Sequence, residues 1–227
     1  TDTHNVAVGF QAGHDVTTGL HNTLIGSLAG DAITSGGSNT FIGKEAGSSS
    51  VNFTTGINNV LIGSNADTTA ADTNNAVGIG YAIDAADGFV TLGVGSNDIR
   101  AANGNVTWAT VSDERYKKDI LDSTAGLSFI NALQPRTFKY KNLGELPETF
   151  RAYEADSTEV YKNSNTNHGF IAQEVKAAID ADSSIKDGFR LWDERDDGGQ
   201  EVAEAALIPI LVKAIQELTA RVAELEG

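Results

Sequence analysis

Residues 22–30 read Asn22-Thr-Leu-Ile-Gly26-Ser-Leu-Ala-Gly30, and the same pattern recurs as Asn5-Val-Ala-Val-Gly9-Phe-Gln-Ala-Gly13, Asn39-Thr-Phe-Ile-Gly43-Lys-Glu-Ala-Gly47 and Asn59-Val-Leu-Ile-Gly63-Ser-Asn-Ala66. Weaker copies follow around Gly80 and Gly93. Successive anchor glycines lie 17, 17, 20, 17 and 13 residues apart, a regularity that calls for stacked rungs. Within a rung, a short apolar and β-branched stretch such as Thr23-Leu24-Ile25 alternates its side chains as a strand does. The glycine after it permits a sharp turn, and the intervening Ser, Thr and Asn make the other turns. With so few apolar residues per rung, one chain has little to bury, so several chains are expected to share the core.

Working outward, the composition breaks near residue 111. Residues 1–111 hold 17 of the 24 glycines with 9 acidic and 2 basic residues, while 112–227 hold all 3 prolines with 22 acidic and 14 basic residues. This predicts residues 1–100 as a glycine-rich β-repeat, 101–111 as a linker, and 112–227 as a second domain. Both parts are net acidic, which argues against nucleic acid and anionic membrane surfaces as partners. The longest apolar run, Ala205 to Val212, is 8 residues and contains Pro209, far short of the ~20 that span a bilayer. No membrane insertion is expected. The start at Thr-Asp-Thr-His, without methionine or leader, reads as part of a longer protein. There are no cysteines, so thiolate chemistry and disulfides are excluded. His4, His14 and His21 fall in or beside turns without clustered partners, and the carboxylates of the first half are scattered, so neither metal nor cofactor is expected.

Residues 5–95 resemble the head repeats of trimeric autotransporter adhesins and the glycine-rich β-rolls and β-prisms of phage tail fibres. The resemblance implies a trimeric stack serving as a stalk or receptor-binding head, with a host receptor or glycan as its partner. In the second half, Ser112-Asp-Glu-Arg115-Tyr-Lys117 opens the segment, His168-Gly169-Phe-Ile-Ala-Gln173-Glu174-Val175 lies at its centre, and Ala206-Leu-Ile-Pro209-Ile-Leu-Val-Lys-Ala-Ile-Gln-Glu-Leu218 leads into its end. In this order the three motifs resemble the endosialidase-type intramolecular chaperone domain of phage tail spikes and fibres.

That resemblance implies a homotrimer located on the virion, no cofactor, and a single-turnover self-cleavage between Val111 and Ser112. It assigns Ser112 and Lys117 as the catalytic dyad, in preference to the neighbouring Lys118, with His168 as a further candidate. The remaining residues of the motifs read as supports. Asp113 and Arg115 would hold the scissile turn by pairing within or between chains, and Gln173 and Glu174 would fix the fold. A bacterial surface adhesin with the same chaperone is the alternative, and a polysaccharide depolymerase a further one. The fold class expected is a mainly β repeat followed by an α+β domain that ends in a long coiled-coil helix.

Five residues on an α-helix span about 500°, so Ser112 and Lys117 cannot meet on one regular helix. Either Ser112 lies in an irregular turn or Lys117 comes from a neighbouring chain. Ser112 or Asp113 is also a good N-cap. A lysine serves as base to a serine only where burial or nearby cations favour its neutral form.

Further on, Phe189 to Arg195 reads as a strand leading into an Asp196-Asp-Gly-Gly199 turn. Ile208, Ile215 and Val222 repeat every seven residues, with Leu211, Leu218 and Leu225 three later: a coiled-coil seam. β-branched a and leucine d positions favour two strands, but Leu207, Val212 and Ala214 are expected to widen the seam, and the repeats and the resemblance decide for three.

Overall fold

The computed structural model describes residues 4–105, 107–183, 185 and 190–227. They form two compact units, one ending at Lys118 and one beginning at Asp119.

The first unit is a β-solenoid of about five turns. Its strands are β1 (Val6–Val8), β2 (Thr23–Ile25), β3 (Thr40–Ile42), β4 (Val60–Ile62), β5 (Asp67–Thr68), β6 (Val77–Tyr81), β7 (Asp84–Ala85), β8 (Phe89–Val94) and β9 (Asn97–Ala102). One sheet runs in the order β1-β2-β3-β4-β6-β8-β9, parallel except for the last pair, and β5 pairs with β7. The register places Ala7, Leu24, Phe41, Leu61, Gly78 and Thr91 in one column. Leu24, Phe41 and Leu61 of that column are buried, where they meet Ala29, Ile33, Ala46, Phe53, Ala66 and Ile83 from the rest of each rung. Phe53 meets the Phe41 ring edge-on, with 5.1 Å between centroids.

The expectation that several chains are needed to enclose a core is therefore corrected: each chain buries its own. The reason is the turn residues, which supply the second wall of the core and which a count of strand residues overlooks. What the chain leaves uncovered is the outward column, where Val8, Ile25, Ile62 and Ile79 are exposed.

Two devices hold the rungs in register. The repeat asparagines are buried and stack into a ladder: Asn22 Oδ1 accepts from the Asn39 backbone N–H at 3.1 Å, and Asn39 Oδ1 accepts from that of Asn59 at 3.0 Å. Each side-chain amide then donates to a turn carbonyl, as Asn39 Nδ2 does to Gly56 at 3.0 Å. The rung glycines form the second device: at Gly43, with φ +141°, a Cβ would lie 2.2 Å from the Gly63 carbonyl oxygen.

The one longer interval, 20 residues, places its extra residues in the turn at Ser48–Asn52, so strand register survives. Buried Asp67 satisfies that turn by accepting from the backbone N–H groups of Ser50 and Val51 at 2.6 and 2.9 Å.

Asn39→Leu keeps the branched outline of the side chain but orphans the Gly56 carbonyl and the Asn59 amide inside the stack. A buried unsatisfied polar group costs about 1–3 kcal/mol, so the solenoid should lose on the order of 3 kcal/mol or more. Urea unfolding of the full chain measures this, and a change below about 0.5 kcal/mol would contradict the ladder's role.

The second unit is mixed α and β, with helices α1 (Leu127–Ala132), α2 (Ala172–Ala181) and α3 (Ile208–Glu226) and antiparallel pairs β10 (Arg136–Phe138) with β11 (Asn167–Gly169) and β12 (Trp192–Glu194) with β13 (Gln200–Val202). A 3₁₀ turn, Glu204–Leu207, runs into α3, giving a terminal helical stretch of 23 residues with Pro209 in the first turn, where its missing N–H costs nothing. The core gathers Phe129, Val175, Ile179, Leu191, Leu207 and Ile210. α1 begins at Gly126, which offers no side-chain cap, and Glu217 of α3 takes that role by accepting from Leu127 N–H at 2.9 Å.

The β12–β13 turn has Gly198 at φ +83°, the left-handed conformation its Asp-Gly sequence predicts. Phe189, the expected start of that strand, lies outside the described residues. Among the described residues no helix is long and apolar enough to cross a membrane.

Candidate active site

The site is built at the end of the first unit. β9 runs to Ala102, the chain turns, and residues 107–110 come back alongside it. Arg100 and Ala109 exchange both backbone hydrogen bonds, at 2.9 and 2.8 Å, as an isolated antiparallel bridge. Three residues after Ala109 comes Ser112, within a stretch that is exposed from Thr107 to Ile120. Asp113 is extended, at φ −64° and ψ 137°, and caps a single 3₁₀ turn, Glu114–Tyr116, by accepting from the Arg115 backbone N–H at 2.9 Å. The Arg115 guanidinium also donates to both Asp113 oxygens, from Nε at 2.9 Å and from Nη2 at 2.7 Å. These bonds hold the Asp113 carboxyl below its usual range and raise Arg115.

A 3₁₀ turn closes in three residues, so Lys117 emerges beside the point where the turn began. Its Nζ donates to Ser112 Oγ at 2.7 Å. Of the two geometries that the spacing allows, the irregular turn is the one present, and the contact is made within one chain. Lys118 has no hydrogen bond or ion pair among the described residues. Ser112 and Lys117 are both exposed, as is Val111 on the other side of the peptide bond.

The family comparison adds to this geometry. The model of a peptidase family described as Chaperone of endosialidase matches residues 112–183, beginning at Ser112 itself. The chain carries an endosialidase-chaperone domain. Domains of this family are autoproteolytic-type intramolecular chaperones typical of phage tail fibres and spikes. No similar curated protein and no similar solved structure was found.

The other expected site residues of the chaperone domain belong to the second unit. His168 lies on β11 opposite Thr137 of β10 and lines an open cleft of about 650 Å³ with Arg136, Phe170 and Glu204. Glu174, in the first turn of α2, accepts from Arg136 Nη2 at 2.7 Å and from Nε at 3.0 Å, tying α2 to β10. That pairing lowers the Glu174 carboxyl and raises Arg136. Gln173 is exposed on the same turn.

α3 presents two apolar faces. Leu207, Ile210 and Ala214 are buried within the unit, so Leu207 and Ala214 do not widen the seam as expected; Val212 alone stands beside it. The seam itself, Ile208, Leu211, Ile215, Leu218, Val222 and Leu225, is exposed along its whole length.

The sequence did not single out Glu217, whose partner is 90 residues away, nor Arg100 and Ala109. For Ala109 a signal was present: Trp108, Thr110 and Val111 around it are the aromatic and β-branched types that strands favour.

Proposed function

We propose that residues 112–227 act as a trimerisation chaperone for the β-solenoid and then detach by cutting the chain between Val111 and Ser112. The observation that carries this is the Lys117 Nζ to Ser112 Oγ contact of 2.7 Å at the first residue of the family match. In the reaction, Lys117 as neutral amine takes the Ser112 hydroxyl proton while Oγ attacks the Val111 carbonyl carbon. A C–O bond forms, the Val111–Ser112 C–N bond breaks, and Lys117 returns the proton to the Ser112 nitrogen. Water then hydrolyses the ester, giving the Val111 carboxylate and restoring the Ser112 hydroxyl. Assembly would gate the chemistry, since exclusion of water from the exposed dyad favours the neutral amine.

A homotrimer is supported by two uncovered apolar surfaces: the α3 seam and the outward isoleucine column of the solenoid. The family's typical occurrence in phage tail fibres and spikes supports a place on the virion, where residues 1–100 would serve as stalk or head for a host receptor or glycan. His168 is proposed as a supporting residue of the cleavage.

Denaturing electrophoresis of the purified chain tests this reading. Fragments of 111 and 116 residues are expected. A single full-length band after prolonged incubation of assembled protein would overturn it.

A further inference from the structure

We infer that the edge of the solenoid sheet binds the N-terminal side of the scissile peptide, clamping residues 107–110 as an added strand so that the Val111–Ser112 bond is held between two fixed elements. The inference rests on the cleavage proposed above and assigns a positioning role to β9 and to Ala109.

β9 is the last strand of the seven-stranded sheet, and one of its edges faces away from β8. Such an edge is a template for an extended peptide. Here the peptide is the chain's own. Arg100 N–H donates to the Ala109 carbonyl at 2.9 Å, Ala109 N–H donates to the Arg100 carbonyl at 2.8 Å, and Thr110 Oγ1 donates to the Asp98 carbonyl at 3.4 Å. Arg100 is itself fixed, paired with Thr91 of β8 and with its guanidinium 4.9 Å above the Phe89 ring. On the far side of the bond, the Asp113-capped 3₁₀ turn fixes the position of Lys117.

Only Val111 and Ser112 lie between the two anchors. For Ser112 Oγ to attack the carbonyl of its own preceding peptide bond, rotation about these two residues must be confined to a narrow range, and a free linker would sample many others. Pairing at Ala109 removes that freedom before the reaction starts. After cutting, the same pairing leaves residues 107–111 as the closing strand of the solenoid, covering an edge that would otherwise invite another chain.

Ala109→Pro in the full chain removes the donated N–H and tests the clamp. Cutting should slow about 10- to 100-fold, the scale on which misplacement of about an ångström acts. The assembly state, followed by light scattering, should not change. Ala109→Val restores the N–H and should restore cutting. Because proline can also disturb folding, amide hydrogen exchange on uncut Ser112→Ala protein provides a second reading that leaves the strand unaltered: the Arg100 and Ala109 amides should be protected. Ala109→Pro protein that cuts at the wild-type rate, or an Ala109 amide exchanging as in free peptide, would overturn the clamp. A wild-type chain that never cuts would refute the cleavage reading instead, whatever the exchange shows.

Discussion

Leu218→Asp is expected to leave the chain monomeric and uncut, although the substitution lies far along the chain from Ser112 and touches neither member of the dyad. Leu218 is at the centre of the exposed α3 seam and makes no part of the second unit's own core, so the monomer should fold as before. In a trimer the same position would bring three carboxylates together in an apolar channel. Burying an ion costs several kcal/mol even after relaxation, and like charges add to this, so association at micromolar concentration should be lost. If burial by assembly is what frees Lys117 to act as a base, loss of the trimer stops the cut. Sedimentation and electrophoresis on one sample read both effects. Monomeric Leu218→Asp protein cutting at the wild-type rate would show that the contact within one chain suffices and that assembly is not the trigger.

The second large effect separates a base from a mere hydrogen-bond donor. Lys117→Ala removes the group that contacts Ser112, and Ser112→Ala removes the nucleophile; each should reduce cutting below detection. Lys117→Arg is the sharper variant. Arginine retains the charge and can donate to Ser112 Oγ, but in proteins it does not give up its proton. If Lys117 accepts the serine proton, Lys117→Arg should lose about 10²- to 10⁴-fold in rate, the usual contribution of a general base, while the trimer persists. Rapid cutting by Lys117→Arg would reduce the lysine to an orienting donor. The time course of full-length chain after refolding supplies the measurement.

How much of this the sequence disclosed depended on the range of the interaction. The rungs were legible because Asn, apolar pair and Gly recur at near-constant spacing, and the exposed apolar stripe of α3 because Ile208, Ile215 and Val222 keep a strict heptad. The division of each rung into an inward and an outward column was not, since Leu24 and Ile25 are both apolar and only stacking shows that Ile33 and Ala29 face the first. The same ambiguity hid the second face of α3. Leu207 and Ala214 sit next to seam positions in sequence, and their burial is decided by the rest of the second unit's core. At the dyad, the spacing of Ser112 and Lys117 ruled out a regular helix but left two geometries open; the Asp113 cap and its one 3₁₀ turn supply the irregular turn by which the two meet within one chain. Glu217 could not be read as a cap, because nothing local links it to Leu127.

The most direct test of the central claim is the N-terminal sequence of the C-terminal fragment released from wild-type chain, taken together with its intact mass. The expected result is a fragment beginning Ser-Asp-Glu-Arg and ending at Gly227, 116 residues long, with Ser112→Ala yielding none. A fragment that begins at any other residue, or one that appears equally from Ser112→Ala, would contradict self-cleavage by the Ser112 and Lys117 pair.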